Sequence, residues 1–362
     1  MPVQALADRR DKVPPSFGSP GVSISYRPKR LQTPPSSTLD HDAAAPTLTV
    51  TVPPASIKHI FAHRQWRAGM LMSDAIVSGA FPVDSKNVLE LGAGTALPSI
   101  TAALSCRPEL VVASDYDEPE LIRALRQNVK NNMAIDPAKA SIIRVCGHIW
   151  GKNPEELFDC FPQKPLSSSS SSSSFADSRS EPRFQVILLA DCLWDPLSHA
   201  DLLKTLVSTL DPWPEARVHV IAGLHTGREK ITSFIRRAAR AGLVLAPVVG
   251  QGPGQEPIWP RCEEQQAPLN RLLAPVSEDD PLRFAHERIV ELEVSGNKPI
   301  ASSEEDASAS KDLEVEAHAD EPRLTGRRRI FVPDLPQTGE EPIEERNKWL
   351  TFWSLRWKQS GD

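Results

Sequence analysis

The chain predicts an α/β fold built on a doubly wound, mostly parallel sheet, and three observations point to it. Short β-branched or apolar runs alternate with segments of helical length. One such run leads through a glycine turn straight into a helix, and the last two runs follow each other with no helix between them. Strand then helix, repeated, gives a parallel sheet covered on both faces. The two closing runs fit an antiparallel pair at its edge.

In chain order, Thr47–Val52 alternates strictly, with Leu48, Val50 and Val52 on one face, and predicts a half-exposed strand. Arg67–Phe81 predicts a helix with Leu71, Ala75 and Val77 near one stripe. Strand Asn87–Leu91, helix Leu97–Ser105, strand Leu110–Ser114, helix Pro119–Asn131 and strand Ser141–Cys146 follow. After a short helix near Pro154–Phe161 come strand Phe184–Ala190, helix Leu197–Leu210, strand Arg217–Leu224 and helix Arg228–Ala241. Arg288–Val294 and Lys348–Trp357 are the closing strands.

Composition sets the limits. Of 362 residues, 41 are Lys or Arg and 47 are Asp or Glu, a net charge of −6 that disfavours a generally basic nucleic-acid binder. The cysteines at 106, 146, 160, 192 and 262 form no CxxC pair and no metal-ligand spacing, which predicts reduced thiols and no metal. No apolar stretch approaches the roughly 18 residues of a membrane span, and the N-terminus has no apolar block of a secretory signal. These features predict a cytoplasmic protein, with the nucleus as the other compartment open to it. A monomer with no membrane or nucleic-acid partner is the expectation.

Residues 1–46, rich in Pro, Ser and basic side chains and lacking any period, are expected to form a disordered tail. The domain is expected over 47–357, with flexible insertions at about 162–183, 250–281 and 296–325 and a short tail at 358–362. The first insertion holds the run Ser167–Ser174, and the third is dominated by acidic residues.

The most informative stretch is VLELGAGTALPS, residues 88–99. Gly92 and Gly94 let the backbone bend tightly and admit a ligand against bare main chain, while the helix start offers unpaired N–H groups. A dinucleotide site wants a small residue where Leu97 stands, which counts against a dehydrogenase. Glu90 is expected near the pocket, where it favours a cationic ligand over an anionic one. Asp115 follows Gly94 by 21 residues at the end of the next strand, where a carboxylate accepts hydrogen bonds from ribose hydroxyls.

Taken in order, HRQWRAGMLMSDAI, VLELGAGTALPSI, VVASDYDEPELI, GHIWG and ILLADCLWD resemble the seven-strand, class I S-adenosylmethionine-dependent methyltransferases. The likeness lies in the lysine-methyltransferase-like group that includes fungal proteins named nicotinamide N-methyltransferase and elongation-factor N-methyltransferase. It runs from about Thr47 to Trp357 outside the insertions. It implies a Rossmann-like, seven-stranded sheet with an antiparallel edge strand and S-adenosyl-L-methionine as cofactor.

Residue by residue, the resemblance implies that Trp66 closes over the cofactor, that Gly92, Ala93 and Gly94 line it, and that Asp115 binds its ribose. Trp150 would lie beside the adenine, and Ala190 at the reactive end. For Trp66 and Trp150 core packing is the competing reading. Asp191, Trp194 and Asp195 in ADCLWDP occupy the strand exit where an acceptor lies, and Asp191 and Trp194 are the candidate catalytic residues. Asp191 either orients the acceptor or caps the following helix, and His225 points to the same end of the sheet or serves as a loop residue. The lysine-methylating relatives often carry Tyr where Trp194 stands. The triplet Arg327–Arg329 reads as a solvated strand edge. The likeness of KWLTFWSLRW favours a last strand with Leu350, Phe352, Ser354 and Arg356 on one face and Trp349, Trp353 and Trp357 opposite.

The expected activity is methylation of a protein amine, a lysine or an N-terminus, for example of a translation elongation factor. Two alternatives remain open: a small-molecule N-methyltransferase acting on an amine or a pyridine such as nicotinamide, and a non-catalytic cofactor-binding interaction protein. No Ser/His/Asp or Cys/His nucleophile pattern is present, in keeping with direct methyl displacement.

Overall fold

The computed structural model describes residues 16–31, 45–54, 62–162, 182–247, 279–295, 323–333 and 341–360. Its strands are β1 (Ser16–Phe17), β2 (Ser23–Tyr26), β3 (Leu48–Thr51), β4 (Gln65–Trp66), β5 (Asn87–Leu91), β6 (Leu110–Asp115), β7 (Ile143–Gly147), β8 (Val186–Ala190), β9 (Arg217–Gly223), β10 (Leu243–Leu245), β11 (Val290–Ser295), β12 (Arg323–Ile330) and β13 (Trp349–Trp357). Helices span Arg67–Val77, Leu97–Ser105, Pro119–Met133, His199–Thr209 and Arg228–Arg240, with single turns at Glu155–Phe158, Ala285–Arg288 and Ile343–Arg346.

The main sheet runs β12-β11-β13-β9-β8-β5-β6-β7, with β10 paired to β13. From β9 to β7 every ladder is parallel. Strands here read as apolar runs because both faces are covered. Val88 packs with the helices at Arg67–Val77, Leu97–Ser105 and Pro119–Met133 on one face. Its neighbours Leu89 and Leu91 pack with those at His199–Thr209 and Arg228–Arg240 on the other. Successive strands after β5 lie on one side of it and β8 and β9 on the other, so the chain order reverses at the carboxyl end of β5. That is where open α/β sheets form a crevice.

The α/β class is as the sequence predicts, but among the described residues the sheet has nine strands instead of seven. Its antiparallel part is a layer of β13, β11, β12 and β10. β13 carries the expected alternation: Leu350 and Phe352 join one core cluster, and Trp349, Trp353 and Leu355 join the other. The two extra strands escaped because three-residue β10 is too short for a period and β12 is arginine-rich. Arg327–Arg329 do form a strand edge, but two of these charges are paired. Arg329 bonds Glu291 and Glu341 and stacks on Trp349 at 4.0 Å, and Arg327 reaches Glu293 at 3.2 Å.

The expected disordered tail is corrected over residues 16–31. β2 pairs with β3, β1 pairs with β4, and Tyr26 is fully buried, its hydroxyl donating to Asp74 Oδ1 at 2.8 Å. Burial of one large aromatic offsets ordering of a segment whose average composition argues against it. Of the three expected insertions, residues 163–181, 250–278 and 296–322 lie outside the described residues, and residues 323–325 belong to β12. Among the described residues no helix is long and apolar enough to cross a membrane.

Candidate functional site

At the end of β5 the chain turns through Gly92 (φ +69°), Gly94 (φ +56°) and Ala96 (φ +64°) before entering the Leu97–Ser105 helix. A Cβ on Gly92 would stand 2.9 Å from Cys192 Sγ and 3.4 Å from Trp150 Cζ2, so both backbone and neighbours require glycine there. At Gly94 a Cβ would meet nothing within 4 Å, which leaves bare main chain facing open space. The turn is fastened to β6: Ala93 N–H donates to the Ser114 carbonyl at 3.0 Å, and Gly94 N–H donates to Asp115 Oδ2 at 2.7 Å.

Asp115 is 8% exposed and accepts a second main-chain bond at Oδ1, from Tyr116 N–H at 2.7 Å. Burial pushes its carboxyl up to about 6, against the pull of the two N–H donors. Glu90, expected beside the pocket, is instead a helix cap. Its Oε2 accepts from Ser99 N–H at 3.0 Å and from Ser99 Oγ at 2.5 Å. Ala96 at the helix entrance has no side-chain acceptor, so a carboxylate from the preceding strand takes that part. Burial pushes Glu90 up to about 8 although the Ser99 bonds hold it down.

At the exit of β8, Asp191 adopts φ +61°, a left-handed conformation rare for a side chain other than glycine and often found at functional sites. Its N–H donates to the Ile221 carbonyl at 2.8 Å, and its Oδ1 accepts from Gly223 N–H at 2.9 Å. The helix-cap reading is therefore set aside: the next helix begins at His199, and Asp195 Oδ1 accepts the Leu197 N–H before it. Gly223 is squeezed between two side chains. A Cβ there would lie 2.4 Å from His225 Nδ1 and 3.4 Å from Asp191 Oδ1. His225 in turn stacks on Trp66, with ring centroids 5.5 Å apart and planes 11° from parallel.

Several of these groups border a cleft of about 330 Å³. Trp66, Gly92, Gly94, Asp115, Trp150, Ala190, Asp191 and Trp194 all line it. Of the residues singled out from sequence, Ala93, Glu90 and His225 do not line it: the Ala93 N–H is turned back onto Ser114, Glu90 is held by Ser99, and His225 stacks behind Trp66. Asp195, placed by its ADCLWDP motif at the same strand exit as Asp191, lines the cleft too, while sequence reasoning missed Tyr116, His148 and Asp201. Asp201 was not legible, since only folding brings the first turn of the His199–Thr209 helix against Gly151. Among the described residues the wall thus carries Asp115, Asp191, Asp195 and Asp201 beside Arg64 and His148.

Residues 56–164 match the family described as lysine methyltransferase. The "protein N-terminal and lysine N-methyltransferase efm7" of Schizosaccharomyces pombe is 32% identical over 166 residues, covering 46% of this chain and 57% of that protein. The protein of the same name from Emericella nidulans is 30% identical over 164 residues, covering 45% and 58%. That from Neurospora crassa is 24% identical over 229 residues, covering 57% and 76%. The chain thus spans little more than half the length of the first two relatives. The family resemblance carried by the motifs is borne out.

Proposed function

Proceeding from a chain whose residues 56–164 match the lysine methyltransferase family, we propose that the protein is an S-adenosylmethionine-dependent N-methyltransferase whose acceptor is a protein amine, a lysine side chain or an N-terminus. The observation that carries this reading is the unlike character of the two ends of one cleft. One end has bare glycine main chain and Asp115, and the other has Asp191, Asp195 and Trp194.

The first end suits the cofactor. The space beside Gly94 accommodates a ligand against the backbone, and each Asp115 oxygen holds one main-chain N–H, which leaves lone pairs for ribose hydroxyls. Gly92, Gly94, Asp115 and Trp150 would hold it, with Trp66 over it and Ala190 beside its reactive end. When bound, S-adenosylmethionine supplies a methyl group on a sulfonium, open to in-line displacement by a nitrogen lone pair.

The second end suits an amine. Among the described residues of the cleft wall carboxylates outnumber cations, which draws a positively charged acceptor and disfavours an anionic one. A lysine ammonium, with an ordinary pKa of about 10.4, has to lose its proton before its lone pair reacts. Asp191, held by Gly223 N–H at one oxygen, orients the amine, and water takes the proton. Trp66 and Trp194 flank the acceptor and limit water around it. No covalent protein intermediate is needed. A translation elongation factor is the first protein acceptor to test, on the strength of the motif resemblance.

Incubation of the purified protein with methyl-labelled donor in desalted fungal lysate tests the proposal. A labelled protein band that acid hydrolysis traces to methyl-lysine or a methylated N-terminus is expected. Label confined to the small-molecule fraction of an undesalted lysate overturns it in favour of a pyridine or small amine.

A further inference from the structure

Behind the wall of the cleft lie two thiols with one acceptor between them. Cys146, near the end of β7, has its Sγ 3.2 Å from the Glu156 carbonyl oxygen and 3.3 Å from that of Gly147. Cys160, just past the Glu155–Phe158 turn, has its Sγ 3.5 Å from the same Glu156 oxygen. Cys146 is buried, whereas Cys160 is half-buried and so within reach of a small oxidant.

We propose that Cys146 and Cys160 form an oxidation site that takes a hydroperoxide and closes reversibly to a disulfide, altering the wall that carries His148 and Trp150. The pair is chemically unequal. Cys160 is the more open of the two thiols, and Cys146 is buried behind it. Cys160 is therefore the attacking sulfur and Cys146 the resolving one. The other described cysteines lack this setting: burial pushes Cys106 up to about 11 and Cys192 well above the usual thiol range.

The chemistry balances with hydrogen peroxide as oxidant. The Cys160 thiolate attacks one peroxide oxygen. A sulfur–oxygen bond forms as the oxygen–oxygen bond breaks, and the departing hydroxide takes up the proton that Cys160 had released, leaving as water. Cys146 sulfur then attacks the Cys160 sulfenic acid. The sulfur–sulfur bond forms, the sulfur–oxygen bond breaks, and the second hydroxide leaves as water with the Cys146 proton. Two thiols lose two electrons and one peroxide becomes two waters.

Glu156 connects this event to the cleft. Its carbonyl faces both sulfurs, while its Oε1 lies 2.7 Å from His148 Nδ1. His148 Nε2 lies 3.2 Å from Thr205 Oγ1, which also accepts Gly151 N–H at 2.9 Å. Drawing the sulfurs together removes both contacts to the Glu156 carbonyl and shifts the turn that holds His148.

The test treats the full chain with hydrogen peroxide and maps cysteines by mass spectrometry without reduction. The expected result is a peptide pair linked through Cys146 and Cys160, reversed by dithiothreitol, with Cys106 and Cys192 still alkylatable. Amide hydrogen exchange over 147–152 is expected to change by about threefold or more in the oxidised form. Cys160→Ser is expected to abolish both signals. Sulfinic acid on Cys160 beside a free Cys146 thiol, or a link from Cys160 to Cys262, overturns the site. A Cys146–Cys160 link with unchanged exchange over 147–152 overturns the coupling to the cleft.

Discussion

Gly94 and Asp115, 21 residues apart, are joined by a main-chain N–H donating to a carboxylate oxygen at 2.7 Å. This bond fixes the glycine turn after β5 to the end of β6, so that the backbone meant to face a ligand and the carboxylate meant to grip its sugar are positioned by one contact.

Alanine at the two glycines separates folding from binding. Both positions have positive φ, so each Ala costs about 1–2 kcal/mol of backbone strain. Only Gly92→Ala adds a collision, with Cys192 Sγ at 2.9 Å. Gly92→Ala is therefore expected to be the less stable by urea denaturation. Gly94→Ala, whose Cβ enters open space, is expected to bind the methyl donor at least about tenfold more weakly by calorimetry, about 1.4 kcal/mol. Unchanged donor affinity in Gly94→Ala argues that no ligand approaches the turn there.

Asp191 is best probed with Asn, which tolerates left-handed backbone and keeps an oxygen for Gly223 N–H. Turnover is expected to fall about a hundredfold, near 2.7 kcal/mol in the barrier, if the charge orients the amine. Donor affinity is expected to stay within about threefold, a change of roughly 0.7 kcal/mol. Full turnover in this variant assigns Asp191 to strand-end structure alone.

The parallel half of the fold was legible because buried strands and amphipathic helices have different periods, and the glycine turn sits where one gives way to the other. The cleft was legible as far as its residues come from strand exits: Gly92, Asp115, Ala190 and Asp191 each end a strand or follow one. Glu90 was misplaced because two residues of separation from Gly92 say nothing about face. The strand alternates, and this side chain points toward the helix entrance at Ser99. Tyr26 and Asp201 were missed for a shared reason: their partners, Asp74 and Gly151, are remote in sequence, and no local pattern announces them.

Glu90 makes stability depend on pH with a definite sign. Its ordinary value is 4.5 and burial raises it to about 8 in the fold. Between those values the folded state binds the proton more readily than the unfolded chain. Stability falls as pH rises through that window, by up to about 1.4 kcal/mol per pH unit. Glu90→Gln keeps the oxygen that Ser99 needs and cannot ionise. Its stability relative to the parent is expected to climb from about pH 5 to about pH 8, read as the difference in urea midpoint multiplied by the slope. Asp115, whose charge adds to the rise of Glu90, titrates in both proteins. A difference that does not change with pH shows that Glu90 ionises normally in the fold.

Tyr26 tests whether the segment before β3 belongs to the folded unit. Its ring is fully buried, and its hydroxyl reaches Asp74 Oδ1, which also accepts Lys29 N–H at 2.7 Å. Tyr26→Phe keeps the ring and removes one bond to a carboxylate, an expected loss of about 1.5–3 kcal/mol. Tyr26→Ala removes the ring as well, and about 3–5 kcal/mol is expected. β1 pairs Ser16 with Trp66, so loosening this segment also loosens the tryptophan over the cleft. The Ala variant is accordingly expected to lose donor affinity while the Phe variant keeps it. If Tyr26→Ala unfolds at the parent's urea midpoint, the β2–β3 pair contributes nothing to the stability of the domain.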